Sequence, residues 1–171
     1  NKKLDDTIYY GAGYGRSMKS IFFLGKVVER ISVDGCPVLV LGKEKIRELS
    51  APFAMLQDGL IIIRREPLRF FIWDQVQEIQ AGSRLPLCFA LEAYGVPACT
   101  KLDQKTFREK LDEIVDNELP SFIHHEIGEL REDSLDSETA RKLISAYPAS
   151  TIELTVRALK DILADTHPDG M

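Results

Sequence analysis

The sequence predicts an α+β fold, with a small β-containing N-terminal region over residues 1–100 and a helical C-terminal region of about four helices over residues 101–171. Two observations predict the sheet. Asp34-Gly35 lies between Ile31-Ser32-Val33 and Cys36-Pro37-Val38-Leu39-Val40-Leu41, and Asp58-Gly59 precedes Leu60-Ile61-Ile62-Ile63. An Asp-Gly pair beside β-branched residues marks a hairpin, because both turn positions need positive φ. A third observation predicts the helices: beyond residue 100, capping residues recur ahead of apolar residues three and four apart.

Taken in order, Tyr9 to Ser17 carries alternating Gly11, Gly13 and Gly15. Glycine-rich turns let backbone N–H groups approach phosphate. This spacing is neither GxGxxG nor a Walker loop, so the stretch reads as a flexible or turn-forming terminus. Leu68, Ile72, Val76 and Ile79 recur at helical spacing, yet Arg69-Phe70-Phe71-Ile72-Trp73 is rich in strand formers. The reading favours a strand through Trp73 and a short helix from Asp74. Ala81 to Thr100, with Gly82, Pro86, Gly95 and Pro97, reads as an irregular packed connection.

Asp103 caps the next helix, whose apolar face is Phe107, Leu111, Ile114 and Val115, and Leu102 with Phe107 forms a hydrophobic staple. Pro120 ends or restarts it, and Phe122 to Arg131 gives a second helical segment. Asp136 or Ser137 caps a third, with Ala140, Leu143, Ile144 and Tyr147 inward and Pro148 as the stop. Ser150-Thr151-Ile152-Glu153 is a capping box for a fourth, with Ile152, Val156, Leu159 and Leu163 as its buried stripe. The abrupt end at Met171 leads to the expectation that the natural chain continues.

Composition narrows the class. The chain has 171 residues, 44% apolar and 29% charged, the profile of a globular protein of one ordinary domain or two small ones. A formal net charge of −5 argues against nucleic acid or an anionic membrane surface as the main partner. The apolar runs Ile21–Leu24, Val38–Leu41 and Leu60–Ile63 fall far short of the roughly 20 residues of a membrane helix. The opening Asn1–Asp6 lacks the apolar stretch of a secretory leader. Cys36, Cys88 and Cys99 are odd in number and widely spaced, which predicts buried reduced thiols and a cytoplasmic location. A homo-oligomer is the expected form of any assembly.

Chemistry concentrates in one segment, Phe122-Ile123-His124-His125-Glu126-Ile127-Gly128-Glu129-Leu130. On a helix, Ile123, Ile127 and Leu130 make an apolar stripe, and His125, Glu126 and Glu129 share one flank. His124 points about 100° away. Gly128 costs roughly 1 kcal/mol against Ala inside a helix, so a close neighbour or ligand would justify it. Asp161 and Asp165, four apart at the end of the last helix, repel each other and oppose the helix dipole, so they call for a cation. Lys160, Arg157 or a metal would serve. If the two helices pack antiparallel, His125, Glu126, Glu129, Asp161, Asp165 and His167 face one cleft. Imidazole with carboxylates suits Zn, Fe or Mn, and a spare carboxylate can act as base toward an activated water. The competing reading of the same residues is a salt-bridge and hydrogen-bond network.

Three resemblances follow. Ile123-His124-His125-Glu126-Ile127-Gly128-Glu129 resembles the HDIGK signature of HD-domain phosphohydrolases, with Glu in place of Asp and Glu129 in place of Lys. That resemblance implies His125 and Glu126 in the metal-binding His-Asp role. Leu119–Glu129 and Arg157–Pro168, with its Leu-Ala-Asp-Thr-His-Pro ending, resemble an uncharacterised bacterial family of unknown function, which implies no activity. The stretch from Asp58-Gly59-Leu60 to Trp73-Asp74-Gln75-Val76 resembles strands of bacterial PH-like modules, which implies lipid or peptide binding without chemistry. No serine triad can be built, since His124, His125 and His167 are the only histidines and no GxSxG elbow occurs. The leading reading is therefore a metal-binding protein whose reaction the sequence does not name, with metal-dependent hydrolysis as one chemistry these residues could support. The rival is a non-catalytic module that assembles through helix faces or a sheet edge.

Overall fold

The computed structural model describes residues 7–47, 52–78 and 84–170. Among these, β1 (Ile8–Tyr14), β2 (Ser20–Val33), β3 (Cys36–Arg47), β4 (Ala54–Gln57) and β5 (Leu60–Arg64) precede α1 (Arg65–Glu78), α2 (Arg84–Ala93), α3 (Gln104–Arg131), α4 (Ser137–Ala146) and α5 (Thr151–Thr166). The fold is α+β, as the turn and cap signals predict. The strands form one sheet in the order β1-β2-β3-β5-β4. Its pairs are antiparallel except β3 with β5.

Both predicted hairpins form. Asp34 and Gly35 (φ 50 and 81) close β2 onto β3, and Asp58 and Gly59 (φ 51 and 76) close β4 onto β5. Register shifts in β2 between Leu24 and Glu29 bend the sheet into a curl. Its concave side encloses Ile21, Phe23, Leu39, Leu41 and Ile62. Gly11 of β1 sits so close over the Phe23 ring that any side chain there would overlap it. On the other face Val38, Val40, Ile61 and Ile63 meet Ile123 and Ile127 of α3. Central strands covered on both sides need apolar residues at every position, which explains the unbroken runs Val38–Leu41 and Ile61–Ile63. A third cluster joins Leu68 of α1, Leu91 of α2, and Phe107, Leu111, Ile114 and Val115 of α3.

One ion pair is built into this framework. Arg64 donates from Nε and Nη2 to the two carboxylate oxygens of Glu44, both at 2.6 Å, and from Nη1 to the Pro52 carbonyl at 3.0 Å. Both side chains are fully buried. The guanidinium also lies 4.3 Å from the centre of the Phe23 ring. A buried Arg with its donors satisfied on three sides ties β5 to β3 where the sheet meets α1.

Several expectations are corrected. Residues 68–78 are entirely helical, within α1, so Trp73 lies on a helix and the PH-like strand comparison fails there; Ile79 lies outside the described residues. Leu68 is fully buried in the third cluster, and that packing outweighs the strand preference of Phe70, Phe71 and Trp73. The connection after residue 81 contains α2, with Pro86 in its first turn, where a missing N–H costs nothing; residues 81–83 lie outside the described residues. Tyr9–Tyr14 is strand, followed by a single 3-10 turn at Arg16–Met18. Pro120 does not end a helix: α3 runs through it for 28 residues. Pro120 and Asp116, whose carbonyl loses its helical donor, are both exposed, so water can satisfy that carbonyl.

The caps hold at Asp103, which accepts from the Lys105 and Thr106 N–H groups, and at Asp136, which accepts from those of Glu138 and Thr139. On α5, Ser150 Oγ accepts from the Glu153 N–H at 3.3 Å. Glu153 does not complete the predicted box at Ser150. It accepts instead from the Ala149 N–H (2.7 Å), the Ser17 N–H (2.8 Å) and Arg157 Nε (2.9 Å). These donors hold the Glu153 carboxyl below the usual range. The buried side of α5 is Glu153, Val156 and Ala164, while Ile152 and Leu159 of the expected stripe are exposed. Tyr147, expected inward on α4, is also exposed. No described helix is long and apolar enough to cross a membrane.

Candidate metal centre

Helices α3 and α5 meet at Gly128, where the Ala164 carbonyl occupies the space a side chain would need. The predicted reason for a glycine within this helix is therefore a close neighbouring helix. The approach is antiparallel: His125 faces Asp165 and Glu129 faces Lys160. One turn of α3 and the last turns of α5 are thereby zipped together by polar side chains.

His125, Glu129 and Asp161 each bring a ligand-type atom to one point, all within 4.8 Å of one another. Donors about 2.2 Å from a tetrahedral ion lie roughly 3.6 Å apart, so the three groups would close by up to about 1 Å to seat one. His125 Nδ1 lies 2.6 Å from Asp165 Oδ1, and its Nε2 lies 3.9 Å from Glu129 Oε1. Asp165 therefore fixes the ring and leaves Nε2 directed toward Glu129, as carboxylates do behind metal-binding histidines. Lys160 Nζ donates to Glu129 Oε2 at 2.8 Å.

Glu126 is the unusual member. Its exposure is only 6%, it lines the cleft, and it has no hydrogen-bond partner among the described residues. Burial pushes its carboxyl up to about 7; Glu129 and Asp161 add to that rise, and His125 and Lys160 oppose it. Burial also raises Asp161, helped by Glu129 and Asp165. For His125, burial disfavours the imidazolium, but the Asp165 hydrogen bond and the neighbouring carboxylates outweigh it and the net effect is upward.

These groups lie along a cleft of about 1280 Å³. Of the six predicted residues, His125, Glu126, Glu129, Asp161 and Asp165 line it. His167 does not. It is the C-cap of α5, with extended backbone (φ −66, ψ 140), and its Nδ1 accepts from the Asp169 N–H. His124 stands apart, 3.8 Å from Asp34. The cleft's other walls had no sequence signal of function: Phe53, Met55, Phe122 and Ile144 on the apolar side, and Arg141. Among the described residues Arg141 makes no hydrogen bond or ion pair.

The cysteines offer no competing site. Cys36 and Cys88 are buried as expected, but Cys99 is exposed. A hydrogen bond with Glu92, joined by one with Cys88, pushes the Cys99 thiol up to about 12, far from nucleophilic.

Two family models together match nearly the whole chain. One is described as the N-terminal domain of a family of unknown function (DUF6866), over residues 1–64, and the other as the C-terminal domain of that family, over residues 69–169. No curated protein and no solved structure matches the chain.

Proposed function

We propose, on the premise that the chain belongs to the DUF6866 family of unknown function, that it binds a divalent metal between α3 and α5 and uses it to hydrolyse a substrate held in the cleft. The observation that carries this reading is the convergence of His125, Glu129 and Asp161 within 4.8 Å. A second feature supports it: Glu126, buried and without a hydrogen-bond partner among the described residues, borders the same cleft. One imidazole with several carboxylates suits Mn, Fe or Zn.

The chemistry assigned to the chain's own residues is simple. Glu129, Asp161 and His125 Nε2 hold the ion, and Asp165 holds the imidazole. A divalent ion bound there would supply the Lewis acidity that makes a water molecule a better nucleophile. Glu126 takes a proton from that water as its oxygen bonds to the electrophilic centre, then returns the proton to the departing group as the scissile bond breaks.

The rival reading, a non-catalytic interaction module, has one observation in its favour. Lys160 already supplies Glu129 with a cation at 2.8 Å. Metal analysis of purified protein decides between them. The proposal expects about one Mn, Fe or Zn per chain after reconstitution and dialysis, and loss of that metal in a His125→Ala, Glu129→Ala double variant. Folded wild-type protein that retains none would leave the ion-pair network as the whole account.

A further inference from the structure

The cleft is bordered by five consecutive residues, Pro52 to Leu56, most of them in β4. In a strand, successive side chains point to opposite faces, so neither face alone can offer five residues in a row. A run of that kind borders a cavity through the strand's edge. On one side β4 pairs with β5 (Ala54 with Ile63, Met55 with Ile62, Leu56 with Ile61, Gln57 with Leu60). On the other it has no strand partner among the described residues. The opposite end of the sheet behaves alike: Gly13 and Tyr14, adjacent in β1, border the same cleft, and β1 pairs only with β2 among the described residues. The curl thus brings both ends of the sheet to one opening, and the His125 cluster lies along that opening.

We propose that the substrate is a peptide segment in extended conformation that adds to the edge of β4, which places one of its amide bonds beside the His125, Glu129 and Asp161 cluster. This deepens the hydrolase reading and rests on it for the peptide's being a substrate. Three features select this occupant. An open strand edge offers a row of N–H and C=O groups that only another extended backbone matches in spacing. The edge Ala54-Met55-Leu56-Gln57 carries no charge and no proline, the usual guards of an exposed edge. The cleft volume of about 1280 Å³ exceeds the range typical of small-molecule pockets, roughly 300–1,000 Å³, and suits a chain of several residues. Phe53, Met55 and Phe122 would receive apolar side chains of the peptide.

Hydrolysis there balances without a further reactant. The water oxygen bonds to the amide carbonyl carbon, the C–N bond breaks, and the proton taken up by Glu126 passes to the departing nitrogen.

The test uses the whole chain and a dye-labelled, end-blocked decapeptide of alternating valine and threonine. A second decapeptide of the same sequence carries N-methyl groups at alternate residues. Anisotropy should show saturable binding of the first and at least tenfold weaker binding of the second, because methylation removes the donors on one edge. Amide hydrogen exchange should slow at Ala54–Gln57 when the first peptide is added. No binding at millimolar peptide, equal binding of both peptides, or protection only away from β4 would each overturn the proposal. So would a dimer in sedimentation with β4 protected before peptide is added, since a second copy would then occupy the edge. Metal content is measured on the same sample. Peptide binding without metal uptake removes the hydrolase reading and leaves a peptide-docking edge, whereas metal uptake without peptide binding removes only this inference.

Discussion

Gly128 of α3 packs directly against the backbone carbonyl of Ala164 in α5, with no room for one added carbon between them. This contact sets the spacing at which His125 reaches Asp165 and Glu129 reaches Lys160. Gly128→Ala should therefore push the helices apart. Overpacking of this kind costs about 1–3 kcal/mol, which outweighs the roughly 1 kcal/mol gained in helix propensity. Urea unfolding should show a lower midpoint, and metal retention should fall with it. A midpoint at or above wild type would mean that the helices separate freely and that the site tolerates looser packing.

Removing one member of the buried Arg64–Glu44 pair leaves the other charge without its partner. Glu44→Gln or Arg64→Met alone should lower stability by about 3–5 kcal/mol. The double variant Glu44→Leu, Arg64→Met should recover part of that loss, because the uncompensated charge disappears. Denaturant titration of the three variants measures the coupling. Singles that cost no more than the double would show that the pair is not acting as a unit.

Glu126 gives the stability a pH dependence whose sign is fixed. Its folded value of about 7 lies above the ordinary 4.5, so the folded chain keeps a proton that the unfolded chain releases. This contribution is full below about pH 4.5 and disappears as pH rises through about 7. His125, also raised, acts in the same direction: its contribution is present below its ordinary 6.5 and is lost as pH passes its folded value. Stability of the metal-free protein should fall between about pH 5 and pH 8 by on the order of 2–3 kcal/mol, since each tenfold change in proton affinity is worth about 1.4 kcal/mol. Glu126→Gln should remove most of that slope and be more stable than wild type at the alkaline end. Parallel slopes for the two proteins would place the effect elsewhere.

The site geometry separates the three histidines. With Mn or Zn at a hundredfold excess over its dissociation constant, a folded-state site adds about 2.7 kcal/mol, read as a rise in melting temperature. His124→Ala and His167→Ala should keep that rise, and His125→Ala should lose it. A His167→Ala variant that alone loses the rise would move the metal to the end of α5.

What the sequence disclosed followed how local each signal is. Asp34-Gly35 and Asp58-Gly59 act through their own φ angles, and Asp103 and Asp136 through donors two and three residues away, so both hairpins and both caps could be read directly. His125 and Glu129 share a helix flank by spacing alone. Their meeting with Asp161 depends on the Gly128–Ala164 approach, which spacing suggested only as a reason for the glycine. The buried side of α5 carries no apolar signature because it is partly ionic, with Glu153 paired to Arg157. His167 missed the cleft because the helix ends just before it and the backbone becomes extended. The fate of α1 was decided by Leu68 burying against α2 and α3, which no local preference reports.

Strand β5 ends at Arg64 and α1 begins at Arg65, with no residue between them. The boundary between the two family models falls at this joint, yet Ile61 and Ile63 before it share a core with Ile123 and Ile127 beyond it. The two portions share one core, so neither should fold when expressed without the other. Expressed apart, each would expose to water the greasy surface meant for the other. Insertions that gene fusion ordinarily tolerates between domains should be selected against here, and a scissile tag placed at this seam would yield two insoluble fragments in place of two working halves.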